Sequence, residues 1–197
     1  MSRRPRVYLA GPDVFFPDAE AIGCRKKAIC ADAGLEGLFP LDHDIDLTAG
    51  PPRAVAQAIF LANRTLMQRA DGCLFNLTPF RGPGADPGTV WELGYLHGLD
   101  KPVIGYTQAP DLLADRVRTA LDLGRPEPGG VLTDRDGLVV EQFDCVDNLM
   151  IDGAIEASGG ALLRAERSSA PGEIDFDLFA AAVSALAERL ARTIHRL

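Results

Sequence analysis

The sequence predicts an α/β protein, a doubly wound, flavodoxin-like or Rossmann-like parallel sheet with flanking helices, as a single domain over residues 1–197. Three observations carry this expectation. Short apolar runs alternate with stretches of helical periodicity, the pattern of a parallel sheet covered on both faces. A chain of 197 residues suits one core, since domains usually run to roughly 100–200 residues. At 47% hydrophobic and 24% charged, the composition is that of a globular chain and not a disordered or fibrous one.

The elements follow in order. Val7 to Ala10 reads as a buried first strand, ended by Gly11-Pro12. Asp18 then stands as a cap for a helix running to about Gly34, a residue suited to the position just past a helix end. A second strand is expected near Gly37 to Leu41, and a helix from about Pro52 to Arg69, with proline where a helix start tolerates it. Gly72 to Leu77 reads as the third strand, a helix follows from about Gly88 to Leu99, and Pro102 to Tyr106 reads as the fourth strand. Beyond it, Asp111 to Leu123 has a helical pattern. Val131 to Phe143, broken at Asp136-Gly137, reads as a hairpin or an arm. A further helix is expected near Asp147, capped by that residue, and Ala165 to Gly172 reads as a polar linker. The last helix, about 175–197, places Phe179, Val183, Leu186, Leu190 and Ile194 on one apolar stripe that packs on the rest.

Charge narrows the partners. The formal net charge is −8, so phosphate backbones are repelled and no nucleic acid is expected as a ligand. The basic start, Arg3-Arg4-Pro5-Arg6, leads into an apolar run too short for a signal peptide or a membrane span. The expected location is therefore cytoplasmic, with no membrane contact. Cys24, Cys30, Cys73 and Cys145 form no CxxC pair and are expected to be reduced and mostly buried.

The densest chemistry lies between the third strand and the following helix, Gly82-Pro83-Gly84-Ala85-Asp86-Pro87-Gly88-Thr89-Val90-Trp91-Glu92-Leu93-Gly94. Ligands of such folds sit beyond the carboxyl ends of the strands. Two readings of the carboxylates are open. Asp86-Pro87 is a good N-cap and first helical residue, and Thr89 to Glu92 matches a capping box, in which Glu92 only satisfies a backbone N–H. Alternatively, Gly82, Gly84 and Gly88 let backbone approach a ligand, and Gly94 lets another element pack closely. A carboxylate kept ionised by the helix dipole then suits attack on an anomeric carbon, with Asp86 managing the proton of the leaving group.

Several segments together resemble the nucleoside 2-deoxyribosyltransferase family. These are Tyr8 to Phe15, Ala70-Asp71 through Phe80, Asp86 to Tyr95, Lys101-Pro102-Val103, and Asn148-Leu149-Met150. The resemblance covers most of residues 6–152; the insert 124–140 and the tail after about 165 carry no matching motif. It implies transfer of a 2-deoxyribosyl group between nucleobases, with 2′-deoxynucleosides and free nucleobases as partners and no metal or other cofactor. It implies Glu92 as the nucleophile, Tyr8 as the group that orients it, and Asp86 as an acid near the departing base. Asn63 and Phe15 are implied at the base pocket; Asp44 is a further candidate to touch the base, from its place on the loop at the rim of the cleft and not from the resemblance. Asn148 and Met150 are implied to reach the neighbouring subunit's site, Asn148 toward the sugar 5′-hydroxyl, in a homo-oligomer with shared active sites.

Other features read as bland. Asp42-His43-Asp44-Ile45-Asp46 is expected to be a solvated loop at the rim of the cleft, and Arg25-Lys26-Lys27 a charged outer helix face with no role in catalysis. Two alternatives remain open. One is an N-hydrolase of 2′-deoxynucleoside 5′-phosphates, with Arg81 and the Gly82–Gly84 backbone holding the phosphate. The other is a non-catalytic nucleotide-sensing module on the same fold.

Overall fold

The computed structural model describes residues 3–46, 48, 50–124, 126, 129–167 and 172–194. Five parallel strands form one sheet in the order β2-β1-β3-β4-β5, with β1 Arg6–Ala10, β2 Glu36–Leu38, β3 Gly72–Asn76, β4 Val103–Thr107 and β5 Leu162–Arg164. This is the flavodoxin order, and its direction reverses between β1 and β3. The connecting helices are α1 Ala19–Asp32, α2 Pro52–Arg69, α3 Pro87–His97, α4 Leu113–Ala120, α5 Leu149–Ala157 and α6 Phe176–Ile194.

Strand alternation sorts the core onto two faces. Tyr8, Ala10, Cys73 and Phe75 point toward α2, α3 and α5, where Met67, Leu93, Leu96 and Ile155 meet them. Val7, Leu9, Leu74 and Tyr106 point toward α1 and α6. The expected stripe of α6 is buried there through Phe179, Val183, Leu186 and Leu190; Ile194's side chain lies outside the described residues. Gly34, in the left-handed region at φ 76°, ends α1 as expected, and the Leu35 N–H closes back on the Cys30 carbonyl at 2.9 Å. The segment 131–143 is a minimal hairpin held by the bridge Thr133–Val139 and turned at Gly137.

The structure corrects the sequence reading in several places. Of Arg25-Lys26-Lys27, Arg25 and Lys27 face outward as expected but Lys26 does not. Lys26 is 1% exposed and its ammonium binds the equally buried Asp13 carboxylate at 2.6 Å and the Tyr106 hydroxyl at 2.8 Å. The N-cap of α5 is Asn148, not Asp147: the Asn148 side chain accepts from the Met150 N–H, while the Asp147 carboxylate turns to Arg116. Asp18 holds the N-cap position of α1 without a side-chain bond. β2 stops at Leu38, where the Asp42 carboxylate accepts the Phe39 N–H. β5 had no separate signal, being three residues just ahead of the polar linker. Of the four free cysteines only Cys30 and Cys73 are buried. Gly94 meets nothing close, so no element packs on it. No described helix is long and apolar enough to cross a membrane.

The buried Asp13–Lys26 pair generates a stability prediction. Asp13→Ala strands the ammonium, and breaking such a pair from one side costs about 3–5 kcal/mol. Chemical denaturation is expected to show a loss of that order, and a loss below about 1 kcal/mol would mean that water reaches Lys26.

Candidate active site

Tyr8 is the central residue of β1, and its side chain projects to the face covered by α3. Glu92 lies in the second turn of α3, which its neighbours Leu93 and Leu96 anchor to the core. The Tyr8 hydroxyl donates to Glu92 Oε1 at 2.6 Å. The choice left open by the sequence is thereby resolved. Asp86, not Thr89, is the N-cap of α3; its Oδ2 accepts from the Thr89 N–H at 2.9 Å and the Thr89 hydroxyl at 3.1 Å. Gly88 makes this possible, since a Cβ there would stand 3.0 Å from Asp86 Oδ2. Gly82 has open space around it, and Gly84 faces only Asp147, at ordinary contact distance.

Glu92 therefore caps nothing. It is also not held ionised by a helix terminus, because it stands a full turn inside. Burial pushes its carboxyl up to about 7, opposed by the Tyr8 hydrogen bond and reinforced by the nearby Asp86 charge. Burial and the adjoining carboxylate likewise push the Tyr8 hydroxyl far above its ordinary range, so it stays protonated and acts as a donor. The pair joins a rigid donor to a carboxylate that water solvates poorly.

Around this pair the other expected residues are placed unevenly. Phe15, 54% exposed, is not a core residue; it stacks on Phe80 with ring centroids 5.0 Å apart. The two rings belong to the segments that follow β1 and β3, on either side of the crevice where the strand order reverses. The Arg81 guanidinium lies over both, and Arg81 holds a left-handed φ of 55°. Asn63, on the inner side of α2, buries an Oδ1 that has no hydrogen-bond partner. Such an orphan acceptor costs free energy unless a ligand or water meets it. Asp44 is exposed on the loop ahead of α2, and the neighbouring Asp42 pairs with Lys27. Asn148 is engaged within its own chain, accepting from the Met150 N–H and donating to Glu141 Oε1 at 2.6 Å. Met150 is 72% exposed. No cluster of His, Cys, Asp and Glu able to hold a metal occurs among the described residues.

Two supports of the crevice were missed from sequence. Asp13 accepts from Lys26 and from Asn76 Nδ2, and Asn76 Oδ1 in turn accepts from the Thr78 N–H and hydroxyl. This ties the end of β3 to the segment that follows β1. Lys26 could have been found from Ile22, Lys26 and Cys30 at i, i+4 and i+8, all on one buried face. The second support is the buried ion pair Arg116–Asp147 at 2.9 Å. Nothing in the sequence pointed to it, because its partners are backbone groups of a distant loop.

A parallel sheet in flavodoxin order, with a largely buried carboxylate held by a tyrosine beside its switch crevice, defines an α/β protein whose ligand is expected beyond the carboxyl ends of the strands. The chain belongs to the nucleoside 2-deoxyribosyltransferase family, whose model matches residues 7–150. It is 36% identical to the uncharacterized protein C191.05c of Schizosaccharomyces pombe, over 94% of this chain and 90% of that one. Among solved structures it resembles a 2-desoxiribosyltransferase from Leishmania mexicana, with a TM-score of 0.58 and 28% identity over 75% of this chain and 85% of that one. A conserved protein from Enterococcus faecalis V583 shares the fold with a TM-score of 0.56 at 18% identity, over 94% and 98% of the two chains. Membership indicates a deoxyribosyltransferase-type enzyme acting on nucleosides and nucleobases.

The Tyr8–Glu92 geometry makes a pH prediction that needs no substrate. With the Glu side-chain carboxyls isotopically labelled, NMR is expected to show one group titrating near 7 and missing in Glu92→Gln. In Tyr8→Phe the same group is expected to move higher, since the hydrogen bond that lowers it is gone. Titration of Glu92 at an ordinary carboxylate value would contradict this burial-dominated picture.

Proposed function

We propose that the protein transfers a 2-deoxyribosyl group from a 2′-deoxynucleoside to a free nucleobase through a covalent intermediate on Glu92. The single observation that supports this reading best is the 2.6 Å hydrogen bond from Tyr8 to Glu92. It occupies one carboxylate oxygen and leaves Oε2 without a hydrogen-bond partner among the described residues.

In this reading ionised Glu92 attacks C1′, and the glycosidic C1′–N bond breaks with its electron pair on the base. The two neighbouring carboxyls share one proton in the reacting state; Asp86 carries it while Glu92 is ionised, and gives it to the departing base. The incoming base then attacks C1′ of the ester, returns a proton at Asp86 and releases the Glu92 carboxylate. A poorly solvated carboxylate is the stronger nucleophile, and an adjacent charge stabilises the oxocarbenium-like transition state. Phe15 and Phe80 present faces against which a base stacks, and Asn63 offers it an acceptor. Asp44 stands at the rim within the same pocket. Asn148 and Met150 complete the neighbouring subunit's site in a homo-oligomer, with exposed Met150 the side chain that reaches out. The enzyme acts in the cytoplasm as part of nucleoside salvage.

A second reading, hydrolysis of 2′-deoxynucleoside 5′-phosphates, draws on Arg81, whose guanidinium is stacked on the rings without a carboxylate partner among the described residues. One assay separates the readings. Incubated with adenine and either deoxyinosine or deoxyinosine 5′-phosphate, the protein is expected to form deoxyadenosine from the nucleoside; hypoxanthine released from the 5′-phosphate without transfer would instead mean hydrolysis, and no reaction with either would favour a sensor. Glu92→Ala is expected to lose at least about a thousandfold in rate while its melting profile stays cooperative. Near wild-type turnover in that variant would sink the assignment.

Sharing of sites between subunits is tested by mixing Glu92→Ala with Met150→Glu under conditions of subunit exchange. Some pockets then combine an intact Glu92 with an intact neighbouring Met150, and activity is expected to return. A mixture as inactive as its components, despite proven exchange, would exclude sharing.

A further inference from the structure

The loop from Pro79 to Asp86 poses a mechanical problem. It carries Asp86 and is packed unevenly: Ala85 meets the core and Phe80 stacks on Phe15, whereas a Cβ on Gly82 would stand in open space and one on Gly84 would meet only the Asp147 carboxylate. Its one internal backbone bond runs from the Phe80 N–H to the Gly84 carbonyl at 3.0 Å. What grips it from outside is Arg116, on α4. The guanidinium spreads over three acceptors, the Pro83 carbonyl at 2.7 Å, the Asp111 carbonyl at 2.7 Å and Asp147 Oδ2 at 2.9 Å. The same Asp147 Oδ2 accepts the Ala85 N–H at 3.1 Å, and Asp147 Oδ1 accepts the Asn148 N–H at 2.8 Å. Both charged side chains are buried, at 9% and 5% exposure. The pair thus seizes the loop at residue 83 through its carbonyl and at residue 85 through its N–H, one position before Asp86.

We propose that Arg116 and Asp147 are positioning residues that hold Asp86 where the departing base takes its proton. The inference rests on the transfer reading above and assigns the pair to one half of it. Asp86 Oδ2 is committed to Thr89, and no hydrogen bond reaches Oδ1 among the described residues, so Oδ1 is the oxygen free to serve the base. Where that oxygen points depends on the backbone leading into Asp86, which Arg116 and Asp147 fix. Glu92 depends on neither. It is held by Tyr8 and by a helix anchored in the core through Leu93 and Leu96. Loosening the latch therefore separates the two halves of the chemistry, leaving the nucleophile in place and misplacing the proton. A latch that served only stability would impair both halves alike.

The test compares donors whose leaving groups differ in their need for a proton. Deoxyinosine must release its base with protonation. 7-Methyl-2′-deoxyguanosine already carries a positive charge on its purine and departs as a neutral base without one. Release of the donor's base in a single turnover without acceptor, the half-reaction in which the two donors differ, is measured for wild type, Arg116→Met, Asp147→Asn and the double variant. The double variant removes both charges together, which guards against a stranded buried ion. A misplaced acid costs up to about a hundredfold, so the rate with deoxyinosine is expected to fall at least about ten times further than the rate with the methylated donor. Added methylguanidinium is expected to restore part of the deoxyinosine rate in Arg116→Met. Equal losses with both donors, or no loss in any variant, would overturn the assignment of the latch. Wild-type protein inactive toward both donors would instead overturn the transfer reading, and the latch's role with it.

Discussion

The carboxylate at the centre of this site depends on one hydrogen bond, from the hydroxyl of a strand tyrosine to a helix glutamate. The Tyr8–Glu92 contact spans the interface between β1 and α3. It lies where the apolar packing of Phe75, Leu93 and Leu96 excludes water. An isolated carboxylate in such surroundings is expensive and ordinarily takes up a proton. A single donor from a rigid strand offsets part of that cost and leaves the group balanced near neutrality. The same arrangement runs against stability. A carboxyl whose folded-state value lies above its unfolded one stabilises the fold only while protonated, so that contribution fades as pH climbs from about 4.5 through about 7. A carboxyl shifted in this way by burial and one specific partner is a mark of functional sites.

The crevice around that bond is built from two polar supports rather than from apolar packing. On the β1 and β3 side, Lys26, Asp13, Asn76 and Thr78 form a continuous buried chain of hydrogen bonds. Gly11 is required here, since a Cβ would lie 2.6 Å from the Asn76 Cβ and 2.7 Å from an Asp13 carboxylate oxygen. On the far side, Arg116 and Asp147 clasp the glycine-rich loop to the turn that begins α5. Loops beyond the carboxyl ends of strands have no sheet to hold them, and buried polar networks specify one conformation where apolar contact would allow several. The two supports hold different parts of the crevice, one the end of β3 with the segment that follows β1 and the other the loop that leads into Asp86.

The architecture was legible because it is written in periodicity. Apolar runs of strand length, proline at the start of α2 and glycine at the end of α1 are local signals, and the elements they announce are where they were expected. α2 matches to the residue, from Pro52 to Arg69. What could not be read is long-range. Whether Glu92 completes a capping box or meets Tyr8 depends on residues 84 positions apart in sequence, and spacing within the helix favours the wrong partner. Lys26 was hidden by its neighbours: Arg25 and Lys27 made it look like part of a solvated face, although the i, i+4 relation to Ile22 and Cys30 points inward. Asp147 reads as a cap because Asp is a good one, and its true partners, Arg116 and the Ala85 N–H, come from other elements. β5 is too short to announce itself and is defined by β4 beside it.

The central claim is that Glu92 forms a bond to the sugar. The measurement that bears on it most directly is mass spectrometry of protein quenched with acid after incubation with a 2′-deoxynucleoside and no acceptor base. The account predicts a mass increase of one deoxyribosyl group, mapping to the peptide that contains Glu92 and discharged when adenine is added before the quench. An unmodified protein that nonetheless completes transfer at full rate, or an adduct on any other residue, would contradict it.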